Sequence, residues 1–142
     1  MKPNKKAIIS WAAVLLCMAV IFILSAQKGD ESQKLSDGII VFSGLEFGSD
    51  FVRTCAHFLE YSGLAVLIYN ALFQTFGHTK PILSVIMSSA YAVTDEIHQL
   101  FVEGRACQIS DIIIDSAGAA AGIAALTLLI FIYKKIKRRK RV

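Results

Sequence analysis

The run IIIDSAGAAAGIAALTLLIFIY, Ile112–Tyr133, decides the fold. Crossing the hydrocarbon core of a bilayer takes about 20 mostly apolar residues in helical form. This run satisfies that length, and its one charge, Asp115, falls near one end. Directly after it come Lys134, Lys135, Lys137, Arg138, Arg139, Lys140 and Arg141, with no acid among them. An apolar run closed by a basic cluster reads as a membrane span with a cytoplasmic flank.

Working outward, three further runs have the same character: Ala7–Leu24, Cys55–Phe76 and Pro81–Phe101. The predicted spans are about 7–25, 54–76, 81–102 and 112–133, with an outer segment over 26–53. The middle two contain charges, each of which disfavours insertion by a few kcal/mol. Those charges sit near one end of each run, and the apolar stretches Leu64–Phe73 and Ile82–Met87 anchor the rest. The chain has 142 residues, 55% of them hydrophobic, and a mean hydropathy of +0.57. Such a composition excludes an ordinary soluble domain. The expected fold class is all-α: a polytopic four-helix transmembrane bundle, one membrane domain over 1–142, without internal repeats. A cleaved signal peptide is the alternative for the first run, since Lys2, Lys5 and Lys6 precede it and Ser25-Ala26-Gln27 follows. The apolar run is longer than an ordinary signal h-region, which favours a retained span.

Charge fixes the expected orientation, because Lys and Arg accumulate on cytoplasmic flanks. Lys2, Lys5, Lys6, Lys80 and the seven basic residues of the tail make eleven of the fifteen Lys and Arg. Lys28, Lys34, Arg53 and Arg105 share the opposite side with all eleven Asp and Glu residues. Both termini are therefore expected inside. The net charge of +4 is then a topology signal rather than a nucleic-acid footprint, and no nucleic-acid partner is expected. The tail would also attract anionic lipid, at about 1 kcal/mol per basic residue near the surface.

Residues three, four, seven and eight apart share a helix face. In the second span Arg53, His57, Glu60 and Leu64 form one stripe, with Tyr61 beside it. Ser84, Ser88, Tyr91, Asp95 and His98 form another in the third span, with Gln99 adjacent. In the last span Asp111, Asp115, Gly118 and Gly122 align. Chain direction brings the three stripes to one level, with Glu60 and Asp95 about 10 Å inside the outer boundary at 1.5 Å per residue. An ionisable group at that depth faces protein or trapped water, not lipid.

A plainer reading makes such residues interhelical hydrogen-bond glue, and Gly118 and Gly122 a small-xxx-small packing surface. That reading suits the serines and glycines. It does not require so many ionisable groups, so Glu60, Asp95, His57 and His98 are candidates for acid–base chemistry. Arg53, Arg105, Tyr61, Gln99, Asp111 and Asp115 are candidates for binding. A guanidinium grips phosphate oxygens in bidentate fashion, and Arg53 and Arg105 would meet a lipid-linked phosphate at headgroup level. Glu96 points about 100° away from Asp95; Arg105 or Arg53 is its candidate partner, and structural service and chemistry are equal readings. The histidines lie on separate spans without HExxH-type spacing, which argues against a metal site.

Cys17 reads as packing, while Cys55 and Cys107 fall on the same side and leave a disulfide open. In the outer segment Leu35, Ile39, Phe42 and Leu45 recur at helical spacing, so a short surface helix and a loop are equal readings. Gly77-His78-Thr79-Lys80-Pro81 reads as the turn between two antiparallel helices, Gly104 as a second turn, and Ser110-Asp111 as a helix start.

The run Asp95-Glu96-Ile97-His98-Gln99-Leu100-Phe101, then Gly104-Arg105, Asp111 and Gly118, resembles the signature of the VanZ-like family. His57-Phe58-Leu59-Glu60-Tyr61 is similar to that family's second-helix motif, and Ser25-Ala26-Gln27 followed by Ser32 to its segment after the first helix. Two positions depart from the pattern: Glu103 stands where proline is frequent, and Asp115 where asparagine is expected. The resemblance implies a bacterial cell-envelope protein of the plasma membrane. Founding members are associated with low-level resistance to the glycopeptide teicoplanin. It further implies binding or modulation of an envelope component, such as a lipid-linked precursor, at the outer leaflet. Two alternatives stand beside it: a small intramembrane hydrolase or transferase acting on a lipid-linked phosphate, and a transport subunit, which would have to be a homo-oligomer. Neither the residues nor the resemblance names a cofactor.

Overall fold

The computed structural model describes residues 4–43 and 48–140, and among these it is all-helical, with no strand. Five helices follow one another: α1 (Lys5–Ser25), α2 (Gly29–Ser43), α3 (Ser49–Phe76), α4 (Pro81–Gln99) and α5 (Ile109–Arg139). Lys2, Leu45 and Arg141, which entered the sequence reading, lie outside the described residues.

Local chemistry sets the helix ends. The Asn4 side chain accepts a hydrogen bond from the Lys6 N–H and caps α1, satisfying an amide the helix leaves unpaired. Gly77 ends α3 with φ at 74°, its N–H donating to the Phe73 carbonyl at 2.8 Å. Only glycine takes that left-handed conformation cheaply. Pro81 opens α4, where its missing N–H costs nothing.

The hub is α3, which touches each of the other helices. One core joins Val14 and Ile21 of α1, Tyr61, Leu64, Ile68 and Leu72 of α3, and Ala92 of α4. A second joins Ala65 and Tyr69 of α3 to Ala119 and Ile123 of α5. Polar side chains zip α1 to α3 near Lys5: Asn4 Nδ2 donates to the Gln74 carbonyl (2.8 Å), Asn70 Nδ2 to Ser10 Oγ (3.0 Å) and Trp11 Nε1 to Thr75 Oγ1 (3.0 Å). Ser88 Oγ donates to the Tyr61 carbonyl and Tyr91 OH to the Met18 carbonyl. Such bonds contribute about 0.6–2 kcal/mol each between helices in an apolar medium.

The closest approach is between α3 and α5. A Cβ at Gly118 would collide with the backbone of Phe58, and one at Gly122 would stand 2.7 Å from the Ser62 carbonyl oxygen. Ser62 Oγ adds a hydrogen bond to the Gly118 carbonyl at 2.6 Å. The small-xxx-small spacing is thus a packing surface, as expected.

The outside is apolar. Ile9, Leu15 and Leu16 of α1 and Leu128, Leu129 and Phe131 of α5 are exposed, and continuous apolar exposure of this kind marks a surface that meets lipid or another protein. Helices α1, α3 and α5 are each long and apolar enough to cross a membrane, which fits a membrane protein. Helix α4 has 19 residues and is more polar, with Ser84, Ser88, Asp95, Glu96 and Gln99 all buried. Its polar face is turned into the bundle, so its composition alone does not mark it as the fourth span expected from the sequence.

Other boundaries shift as well. The third helix begins at Ser49 rather than 54, α4 stops at Gln99, and α5 runs on through the basic residues to Arg139. The segment between α1 and α3 holds a true helix, α2. Its buried face is Ser32 and Ser36, while Leu35, Ile39 and Phe42 are exposed. Cys55 and Cys107 are free, as is Cys17, which packs against the first core.

Gly118→Leu is expected to destabilise the chain by about 1–3 kcal/mol through overpacking, read as a lower Tm in detergent. Gly63→Ala, where nothing stands within 4 Å of the added methyl, should hold the Tm or raise it slightly. An unchanged Tm for Gly118→Leu would contradict the close helix contact.

Candidate functional site

Where α1 stops, α3 starts and α4 turns into α5, the chain gathers its acids. Two segments clasp each other there. The Gly29 N–H donates to the Glu103 carbonyl (3.2 Å), and Arg105 Nε donates to the Gln27 carbonyl (3.2 Å). A Cβ at Gly29 would run into the Gly104 backbone, and Gly104 itself has φ at 75°, so both glycines are required by the contact. The exposed Lys28–Glu103 pair at 2.7 Å adds at most about 1 kcal/mol.

Beneath this clasp lies a cavity of about 90 Å³, room enough for ordered water or a small polar group. Arg53 and Arg105 stand on its wall, together with Ser25, Gln27, Ser32 and Ser36; His57, Glu60 and Asp95 line it from α3 and α4; Leu24, Leu35, Ile39, Val52 and Ala56 form an apolar side. A smaller cavity of about 20 Å³ adjoins it, lined by Arg53, Thr54, His57, Asp111 and Ile114. His57 and Arg53 belong to both.

Three of the four proposed acid–base residues therefore meet, with both proposed arginines. The fourth, His98, does not line the cavity: its ring packs on Phe22 of α1 with centroids 4.1 Å apart. Asp115 is fully buried and sets Oδ1 3.4 Å from His57 Nδ1. That separation suits charge attraction, although the atoms are not aligned as a hydrogen bond. Tyr61 and Gln99 are buried close by, and Asp111 reaches the smaller cavity.

Glu96 has a partner other than the candidate arginines. It is buried, and its Oε2 accepts the backbone N–H of Gln108 at 2.8 Å. Gln108 is the N-cap residue of α5, so Glu96 ties the start of α5 to α4 rather than pairing with Arg105 or Arg53 through a salt bridge. Arg53 instead lies 3.5 Å from the exposed Asp50.

Unpartnered polar atoms concentrate in this region. Both carboxylate oxygens of Asp95 and of Asp115, Tyr61 OH, Gln99 Nε2 and Ser25 Oγ are buried without a hydrogen-bond partner. Leaving one buried polar group unsatisfied costs about 1–3 kcal/mol, so folded proteins rarely collect several in one place. Asp95 is 2% exposed and lines the cavity with both oxygens free. Burial lowers the pKa of the Arg105 guanidinium from its usual value, and the neighbouring positive charge of Arg53 lowers it further. Asp95, Glu96 and Asp111 act in the opposite direction on Arg105, so the cavity wall carries both signs of charge, with the two guanidinium groups able to take an anion. Among the described residues no group of three or more His, Cys, Asp and Glu is disposed to hold a metal ion.

Sequence periodicity did not single out Gln27 and Ser36, which line the cavity from the α1–α2 junction and α2. Ser25, Gln27 and Ser32 carried a signal through the motif after the first helix, and Ser36 carried none. The VanZ/LLP1 family profile matches residues 10–132, a range that contains every residue of both cavities and Asp115. Comparisons with curated proteins and with solved structures found no match.

Asp95→Asn should hold or raise the Tm in detergent, because it replaces a buried carboxylate that has no aligned hydrogen bond, only Ser25 and Gln99 beside it, with a neutral isostere. Glu96→Leu should lower stability by about 1–3 kcal/mol by orphaning the Gln108 amide. Equal losses for the two variants would show that Asp95 is ordinary structural glue.

Proposed function

The chain belongs to the VanZ/LLP1 family, and from that premise we propose that it is a multi-pass protein of the bacterial plasma membrane that binds an anionic envelope lipid headgroup at the outer leaflet. The observation that carries this reading is the cavity itself, with two arginines on one side and an apolar wall of Leu24, Leu35, Ile39, Val52 and Ala56 on the other. A guanidinium pair suits a phosphate, and the apolar wall suits the chain to which that phosphate is attached.

In the proposed topology α4 is the fourth span and both termini are cytoplasmic. Its support is the partition of charge: among the described residues the acids lie toward the clasp, and the basic tail lies at the opposite end of α5. The cavity then opens just under the outer headgroups. Occupying or withholding an envelope lipid there would alter the response of the cell wall to glycopeptides of the teicoplanin type. A transport subunit is the weaker reading. Below the cavity the helices close on Tyr61, Leu64, Ile68 and Leu72, so a pathway would have to form between copies of the chain.

In nanodiscs the chain is expected to retain dioleoyl phosphatidic acid over diacylglycerol, scored by native mass spectrometry. Arg53→Gln with Arg105→Gln should weaken retention tenfold or more, since a hydrogen bond to a charged group is worth about 1.5–3 kcal/mol. Undiminished retention would remove the anion site. In a cysteine-free background, Phe101→Cys should label from outside intact cells and Arg139→Cys only after permeabilisation. The reverse pattern would overturn the orientation.

A further inference from the structure

We propose that the cavity is catalytic: His57 Nε2 accepts the terminal phosphoryl group of a lipid phosphate ester, and Asp115 is the positioning residue behind it. This rests on the reading of the cavity as a lipid-phosphate site and adds a reaction to it.

The geometry is that of an oriented imidazole. Asp115 is 0% exposed, and its Oδ1 stands 3.4 Å from His57 Nδ1, an atom that is itself buried. The 13% exposure left to the His57 side chain lies away from Nδ1, and the residue lines both cavities. A buried carboxylate this near one ring nitrogen favours the proton there by charge attraction, without an aligned hydrogen bond, and so favours the lone pair on the other. Nucleophile, base and orienting acid in such order is the general form of an activated side chain. Simple glue accounts poorly for this arrangement, because the nearby Asp95 carboxylate lines the same cavity with neither oxygen bonded.

Arg53 and Arg105 supply the remaining requirement, fixed positive charge where negative charge spreads over the phosphoryl oxygens. The cavity, about 90 Å³ and open on one side, takes a phosphate between the arginines with the attached chain along the apolar wall. A terminal phosphate offers two guanidinium groups the most anionic oxygens, so the substrate class is a lipid phosphomonoester or the terminal phosphate of a lipid diphosphate.

In the first half of the reaction the Nε2 lone pair forms an N–P bond as the P–O bond to the lipid breaks. The departing oxygen takes a proton from a cavity carboxyl, Asp95 or Glu60, and the dephosphorylated lipid leaves. In the second half a water oxygen attacks phosphorus and gives one proton back to that carboxylate. The N–P bond breaks with its electron pair returning to Nε2, and inorganic phosphate is released. The sum is lipid phosphate plus water giving dephosphorylated lipid plus phosphate.

The test uses the full chain in mixed micelles with ³²P-labelled dioleoyl phosphatidic acid and, separately, farnesyl diphosphate. Phosphate release is expected, together with an acid-labile, base-stable label that mass spectrometry maps to His57. His57→Asn should abolish both. Asp115→Asn should lower kcat tenfold or more with little change in KM while the chain stays monodisperse, a split that a purely structural role would not give. If the His57 variant fails to fold, the mapped label on the unaltered chain decides. Binding of either lipid without phosphate release or label would overturn the reaction and leave the binding site standing. Failure to bind either lipid would remove the site and the reaction together.

Discussion

The contact on which the rest depends is the approach of α5 to α3 at Gly118 and Gly122, where backbone meets backbone without side chains between. Residues three apart on a helix share a face about one turn apart. Once Gly118 is seated on the Phe58 backbone, Asp115 lies one turn toward the clasp on that same face, beside His57. Any residue larger than glycine at 118 would push the two axes apart and separate the carboxylate from the imidazole. Packing and chemistry share one register here, so the small residues are part of the site although neither of them lines the cavity.

The bundle divides into two unlike halves. Toward Lys5 and Phe76 its polar side chains bond one another across helices, as Asn70 does with Ser10 and Trp11 with Thr75. Toward the clasp, Asp95, Asp115, Tyr61 and Gln99 hold buried atoms without partners. A sequence adapted only for stability would have apolar residues or complete hydrogen-bond pairs in the second half too. Unmet bonding capacity is tolerated where a site needs it, with the cost offset by packing elsewhere. The adjoining Leu64, Ile68 and Leu72 core and the α1–α3 zip supply such packing.

Much of this was legible in the sequence, for definite reasons. A 3.6-residue period placed His57 with Glu60 and Asp115 with Gly118, and charge sorted the two ends of the bundle. What escaped depends on tertiary contact. For Glu96 an arginine was the candidate partner, yet its partner is the unpaired amide at the start of α5, which only the folded turn brings within reach. His98 shares a stripe with Asp95, but α1 crosses that part of the stripe and Phe22 covers the ring. In α2 the leucine and isoleucine spacing left a surface helix and a loop as equal readings; the segment is a helix, with Ser32 and Ser36 buried and Leu35 and Ile39 exposed. Arg105 reaches the cavity because Gly29 and Gly104 bring two loops into contact, an event that periodicity does not record.

Helix α4 connects the membrane question to the site. A charge at the centre of a lone helix costs about 2.5–3.5 kcal/mol to insert, and α4 carries Asp95 and Glu96 together with buried Ser84, Ser88 and Gln99. In the proposed topology it enters lipid only with that face covered, Ser88 against α3 and Glu96 against the start of α5. The tight turn from Gly77 to Pro81 makes α3 and α4 a hairpin, and α3 presents the complementary stripe from the outset. Insertion of α4 and assembly of the polar site are then one event. Of the residues that make α4 a poor span by itself, Asp95 lines the cavity, and Ser88 and Glu96 fasten the helix to its neighbours. The same dependence explains why the polar groups crowd toward one end, since carboxylates farther along α4 would have to cross the apolar core around Leu64 and Leu72 before any partner could cover them.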